Sequence, residues 1–262
     1  MAQPNADALI RVEHLTARFG ENTILEDVSF EVRRGEVFAI LGGSGSGKSV
    51  LLKQMIGLYR PAAGRVWIDG EDIANAEGEA LARIQRKFGV MYQMGALFGS
   101  LTLLENVRLA LEEFTDLPPE ALDLIARSKL RLVRLEGFED YMPADVSGGM
   151  MKRAAIARAM ALDPTILFLD EPSSGLDPVT SAEVDQTILK LRRILGITFV
   201  VVTHELPSIY TIADRVILID ARTRRVAASG APAELRDHAE DPWVRAFFRR
   251  EAPPDQAQEV RA

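Results

Sequence analysis

Gly42-Gly43-Ser44-Gly45-Ser46-Gly47-Lys48-Ser49 has the spacing Gly, four residues, Gly-Lys-Ser. The run Glu36-Val37-Phe38-Ala39-Ile40-Leu41 before it predicts a buried strand. Residues 49–56 after it predict a helix, ended by Gly57. Strand, glycine loop, helix is the setting that a phosphate-binding loop needs. Glycines lack Cβ, so backbone N–H groups can turn inward around an anion, and the helix N-terminus adds partial positive charge. Lys48 then reaches toward β- and γ-phosphates, and the Ser49 hydroxyl toward Mg²⁺. The bland alternative is a flexible Gly/Ser loop before an ordinary helix. The flanking strand and helix argue against it.

Working outward, residues 9–19 alternate apolar and polar and predict a half-buried strand closed by Gly20-Glu21-Asn22. Residues 24–32 predict its antiparallel partner. Phe19, at the strand end, can stack on a nucleotide base or pack on the sheet edge; local sequence leaves both open. Residues 65–69 predict a strand with a hairpin signal at Asp69-Gly70. A short helix at 79–86 and a strand at 89–92 ending in Gln93 follow. Residues 94–103 read as a loop, yet carry Leu97, Phe98, Leu101 and Leu103. A loop this apolar calls for cover, from its own domain or from another subunit.

Helices are expected at 104–114 and 118–135, and the absence of obvious buried strands between Gln93 and Ser147 predicts a helical insertion beside the main sheet. Ser147-Gly148-Gly149 opens a helix expected over 150–162, with Ser147 as N-cap. Residues 165–169 are an apolar strand ending in Asp170-Glu171. Carboxylates at that edge suit a Mg²⁺ shell and the orientation of a water, whereas a solvated acidic turn is the plain alternative. Asp177 precedes a helix at 179–195. A strand at 197–203 ends in His204, which could contact a γ-phosphate; its weight comes from position alone. A helix at 207–213 and strands at 215–219 and 224–229 follow. Asp241-Pro242-Trp243 caps a short terminal helix in which Trp243 and Phe247 share a face and are expected to dock on a folded surface. Beyond Glu251 no order is expected.

The 262 residues are enough for a substantial core, and 47% hydrophobic with 26% charged residues is a globular composition. A net charge of −7 argues against a general nucleic-acid binder. The chain has no cysteine, which excludes disulfides and thiolate chemistry. Residues 1–7 show no signal-peptide pattern, and no apolar run approaches the ~20 residues of a membrane helix. A membrane role is therefore expected to come through a partner.

Together these pieces resemble the nucleotide-binding subunit of an ABC transporter, over residues 9–229. The resemblance implies an α/β P-loop NTPase core with an N-terminal antiparallel β subdomain and a helical signature subdomain at about 94–162. It implies one nucleotide-binding domain over 1–240, followed by a short helix and tail at 241–262. Gly42 to Ser49 match the Walker A loop, with Val50 after it among the implied nucleotide-binding residues, and Phe19 the base-stacking aromatic. Gln93 matches the Q-loop glutamine, implied to touch Mg²⁺ and to sense the membrane subunit. Val146-Ser147-Gly148-Gly149-Met150 resembles the signature L-S-G-G-Q, with Val146 for leucine and Met150 for glutamine. Ile166 to Glu171 match Walker B plus the catalytic glutamate, with Asp170 and Glu171 as its carboxylates, Ser174 to Asp177 resemble the D-loop, and His204 matches the switch histidine.

The implied cofactors are ATP and Mg²⁺, with Ser49, Gln93 and Asp170 toward the metal and Lys48, Glu171 and His204 as catalytic residues. One phosphate loop and one signature per chain imply a head-to-tail homodimer. An integral permease is implied to dock near Met94–Leu103, at the cytoplasmic face of the inner membrane. Residues 90–98, 147–155 and Asp241-Pro242-Trp243-Val244 are similar to the ATPases of Mla-like bacterial lipid transporters, which carry an MCE-type substrate-binding subunit. The alternative is a soluble ABC ATPase acting on nucleic acid or the ribosome. Those usually carry paired nucleotide domains or coiled-coil or zinc insertions, none of which is visible here.

Overall fold

A computed structural model of the chain describes residues 7–93 and 95–252. Met94 and most of the stretch past Glu251 lie outside the described residues. The chain divides into two compact units, Met1–Asn75 with Val202–Ala262, and Ala76–Val201.

In the first unit, β1 (Ala8–Phe19) and β2 (Asn22–Arg33) pair antiparallel, with Val12 opposite Phe30 and Ile10 opposite Val32. The alternation anticipated from sequence changes phase midway. Ile10 and Val12 face inward, then Leu15 and Ala17 do; on β2 the inward set is Leu25, then Val28, Phe30 and Val32. Paired bulges cause the switch, because one extra residue flips every later side chain to the other face. His14 and Asp27 sit at the shifts with φ of 48° and 53°. The His14 Nδ1 lies 2.7 Å from Asp27 Oδ1, and the His14 N–H donates to Ser29 Oγ at 2.8 Å.

β4 (Ala63–Ile68) lies on the other side of β1, and β5 (Glu71–Asp72) closes the order β2-β1-β4-β5. Asp69 and Gly70 both have positive φ, 48° and 79°, as a two-residue hairpin turn requires.

The same unit holds β3 (Val37–Gly42), buried along its whole length. It runs parallel to β9 (Arg215–Asp220), with Ile40 beside Ile217, and β10 (Arg225–Gly230) is antiparallel to β9. α1 (Lys48–Met55) follows β3. Among the described residues the unit has three more helices: α7 (Leu206–Ile212), α8 (Pro232–His238) and α9 (Pro242–Arg249). One apolar cluster joins Leu41 and Leu218 from the strands to Ile209, Leu235, Val244 and Phe248 from these helices. α8, seven residues long, is too short for its periodicity to be read from sequence. The expected anchors of α9, Trp243 and Phe247, are only partly buried at the cluster's rim. Val244 and Phe248, also four apart, are the buried pair. The Tyr210 hydroxyl fastens that helix by donating to the Phe248 carbonyl at 2.7 Å.

In the second unit, β6 (Phe88–Met91) and β7 (Ile166–Asp170) are parallel, with Val90 beside Phe168, and β8 (Thr198–Val202) flanks β7 on its other side. The helices are α2 (Gly78–Gln85), α3 (Leu103–Phe114), α4 (Pro119–Leu132), α5 (Gly148–Ala159) and α6 (Pro178–Leu195). α3 starts with a reciprocal capping box: the Thr102 hydroxyl accepts from Glu105 N–H, and the Glu105 carboxylate accepts from Thr102 N–H at 2.7 Å. α5 differs from expectation at both ends. It starts at Gly148, so both glycines are helical, and it stops at Ala159 rather than at residue 162.

Candidate functional site

The phosphate-loop half belongs to the first unit. β3 delivers Gly42, the loop turns, and α1 begins at Lys48. Gly47 holds φ at 95°, and a Cβ there would stand 2.8 Å from Leu25 Cδ2, so both backbone and packing demand glycine. No side chain caps the N-terminus of α1. The Lys48 ammonium folds back over the loop, donating to Gly42 O at 2.8 Å and Gly43 O at 3.0 Å. The Ser46 hydroxyl is buried without a hydrogen-bond partner. A buried hydroxyl left unmatched costs about 1–3 kcal/mol. These features fit a loop whose oxygen-rich anionic partner supplies the missing contacts.

Two further predicted residues sit in this unit. Phe19 is 48% exposed at the end of β1, with its ring set edge-on to Tyr59 at 5.6 Å between centroids. Lys53 lies 5.4 Å over the Tyr59 ring. Thr203 N–H donates to Ile40 O at 3.3 Å, so His204 follows at the same end of β3 as the glycine loop. The His204 ring is mostly exposed, with Nε2 3.7 Å from Glu205 Oε1.

The carboxylate half belongs to the second unit. Because β6 and β7 are parallel and in register, Tyr92-Gln93 and Asp170-Glu171 leave the sheet at one edge. Asp170 and Glu171 are both buried. Glu171 has φ of 50°, a left-handed conformation that costs an ordinary side chain about 1–2 kcal/mol. Lys152 of α5, itself buried, donates from Nζ to Glu171 O at 3.1 Å and to Gln93 O. Burial pushes the Lys152 ammonium below the usual lysine range, against the pull of Glu171 and Asp170. Burial likewise raises the Tyr92 phenol, with Asp170 adding to the shift and Arg158 opposing it.

The loop after Gln93 is held from two sides. Arg158 donates to Ala96 O at 2.6 Å and Gly95 O at 2.9 Å. Asn106, fully buried in α3, accepts from Phe98 N–H at 2.8 Å and donates to Phe98, Leu101 and Thr102 carbonyls. Leu103 is buried but Phe98 is 52% exposed, so the expected cover is only partly internal.

Ser147 caps α5 as expected, accepting from Met150 N–H at 3.3 Å. The Asp177 carboxylate caps α6, accepting from Val179 N–H at 3.0 Å and Thr180 N–H at 3.1 Å. The Thr180 hydroxyl and these amides hold that carboxyl below the usual aspartate range.

Three residues that matter here carried no sequence signal in isolation: Lys152, Asn106 and Tyr59. Each is a common residue type within a helix or at its end, and each is singled out by what it touches.

Among the described residues no group of three or more His, Cys, Asp and Glu side chains is arranged to hold a metal. The Ser49 hydroxyl in the first unit and the Asp170 carboxylate in the second are each hard oxygen donors, the kind Mg²⁺ takes beside waters and phosphate oxygens. No helix among the described residues is long and apolar enough to cross a membrane.

The family model described as "ABC transporter" matches residues 25–174. The "Probable ribonucleotide transport ATP-binding protein mkl" of Mycobacterium leprae is 41% identical over 239 residues, covering 91% of this chain and 68% of the relative. The "Intermembrane phospholipid transport system ATP-binding protein MlaF" of Escherichia coli K12 is 37% identical over 241 residues, covering 92% and 88%. Among solved structures, the dimeric ABC transporter cassette MJ0796, in a post-hydrolysis state bound to ADP and Pi, superposes with a TM-score of 0.76 at 32% identity. That match covers 85% of this chain and 98% of the cassette. A glycine loop with an uncapped helix, a carboxylate pair at a parallel-sheet edge and a serine-capped signature helix, matched over this length, place the chain in the ABC transporter family as an ATP-hydrolysing subunit.

Proposed function

We propose that this chain powers lipid transport, with phospholipid as the favoured class, by hydrolysing ATP at the cytoplasmic face of the inner membrane for a separate integral permease. The observation that carries the lipid reading is the MlaF likeness, which extends over 88% of that protein's length. The mkl likeness is higher in identity and names ribonucleotide transport, but spans about two thirds of that protein. It makes a ribonucleotide cargo the second reading. An MCE-domain subunit is the expected companion of a lipid system.

In the proposed site, Phe19 stacks on the base and residues 42–50 wrap the phosphates. Lys48 exchanges its two carbonyl contacts for phosphate oxygens, so its charge is preorganised at the loop. Ser49, Gln93 and Asp170 hold Mg²⁺, which when bound neutralises phosphate charge. Glu171 orients the attacking water, and His204 contacts the γ-phosphate. A second copy of the chain completes the site, with its Ser147, Gly148, Gly149 and Asp177 facing the nucleotide. The dipole at the Ser147-capped N-terminus of α5 favours an anion there.

Permease docking is supported by an apolar groove of about 520 Å³ in the second unit. Phe88, Val90, Phe98, Leu109 and Phe114 line it, and Phe98 and Phe114 are each 52% exposed. Its walls come from α2, β6, α3 and the end of α5, with Phe98 alone from the expected stretch 94–103.

Affinity purification of the native complex, with mass spectrometry of what it carries, tests the reading. Bound phospholipid is expected. A complex carrying ribonucleotide cargo and no lipid would overturn it. Changing Phe98 and Phe114 together to Glu is expected to release the permease while ATP hydrolysis by the free chain stays within twofold; retention of the permease would refute the docking surface.

A further inference from the structure

We propose that Lys152 is a positioning residue for ATP hydrolysis, holding the backbone of Glu171 and of Gln93 from the signature helix. The inference rests on the role assigned to Glu171 above. Its basis is one buried ammonium making two main-chain contacts that belong to two different motifs: Glu171 O at 3.1 Å and Gln93 O. Lys152 is 9% exposed, and an ammonium is placed there only when its hydrogen bonds compensate the lost water.

The contact with Glu171 has a local purpose. At φ 50° that residue sits in a sparsely populated conformation, and such a backbone persists when its surroundings over-determine it. A charge-assisted bond to the Glu171 carbonyl is such a constraint, and it acts on the main chain rather than on the carboxylate. The second contact ties the first residue after β6 and Tyr92 to the same ammonium. A movement of Gln93 therefore pulls on the atom that fixes Glu171. Lys152 lies five residues after Ser147, about 7.5 Å along one rigid helix. An anion docking at the Ser147 cap and the backbone of Glu171 are then linked through one element.

The proposal is tested on the full-length chain with steady-state and single-turnover ATP hydrolysis. Lys152→Met, which keeps the length and removes the donors, is expected to lower kcat about tenfold, with KM for ATP within twofold of the parent. Lys152→Arg, which keeps charged donors, is expected to retain at least a third of parental kcat. In single turnover, adding Lys152→Met to Glu171→Ala is expected to cost less than a further twofold, because the carboxylate that the Lys152–Glu171 contact positions is already gone. Parental kcat in Lys152→Met, a loss carried by KM, or losses that multiply in the double variant would each overturn the proposal. Thermal melting is read alongside. If the methionine variant melts below the assay temperature, Lys152→Gln takes its place with the same readouts and an expected loss of about threefold. Failure of the Glu171 assignment shows separately, as undiminished hydrolysis by Glu171→Ala alone.

Discussion

Replacing Glu171 by Gln removes one charge and changes neither length nor shape. The fold is expected to tolerate it, because Lys152 grips the main-chain carbonyl rather than the carboxylate, so the left-handed turn at φ 50° keeps its restraint. What is lost is the anionic oxygen beside the water's position. A positioned acid or base contributes roughly 10²–10⁴-fold. The midpoint, about a thousandfold, corresponds to about 4 kcal/mol of barrier. In the proposed site nucleotide binding falls to residues 42–50 and Phe19, so it is expected to stay within about threefold. Phosphate release at saturating MgATP gives the turnover, a fluorescent nucleotide gives the affinity, and calorimetry gives the melting temperature. The reasoning fails if the variant turns over within threefold of the parent. It also fails if the loss appears as weaker ATP binding with kcat preserved, since Glu171 would then be a binding group and not the residue that orients water.

Three further outcomes follow. In mixed dimers, Ser147→Arg in one chain should silence the nucleotide held by the phosphate loop of the other; loss at the loop of the same chain would refute the shared site. Phe248 is 1% exposed among Leu235, Val244 and Leu218, so Phe248→Ala should cost about 3–5 kcal/mol, or roughly 6–20 °C of melting temperature. An unchanged melting curve would mean that α9 does not stabilise the fold. Asp177→Ala removes the cap of α6. The folded state holds the Asp177 carboxyl below the usual value, so the stability it adds is present above about pH 4 and is lost as pH falls through its folded value. The parent should therefore melt above the variant at pH 7, with the difference closing toward pH 3; a constant difference would contradict the assignment.

The sequence carried the order of motifs because each is a local signal. Glycines announce the loop at 42–47, and the apolar runs at 37–41 and 166–169 end abruptly, in Gly42-Gly43 and in Asp170-Glu171, so strand edges and their chemistry are readable together. The bulges at His14 and Asp27 were not readable. A single inserted residue leaves the composition of a strand intact and shifts only its phase, and the pairing that reveals it lies across the hairpin. Trp243 and Phe247 show the same limit in a helix. Size and i,i+4 spacing made them the expected anchors, yet Val244 and Phe248 have the same spacing, and only the neighbouring surface decides which pair is buried.

Lys152 is the hardest case, for a physical reason. A lysine within an amphipathic helix is ordinarily solvated, and its stem covers apolar surface while its head stays wet. Here the head meets two carbonyls contributed from residues 59 and 19 positions away in sequence. No periodicity encodes that meeting. It arises because the parallel strands β6 and β7 end at one edge and α5 packs against β6, which brings Lys152 to the residues that leave both strands. Long-range contacts of this kind fix the geometry of a site whose individual residues are announced locally. Catalytic competence should accordingly be more sensitive to Lys152 than its chemistry alone suggests, while the fold, carried by the apolar strands, should be less so.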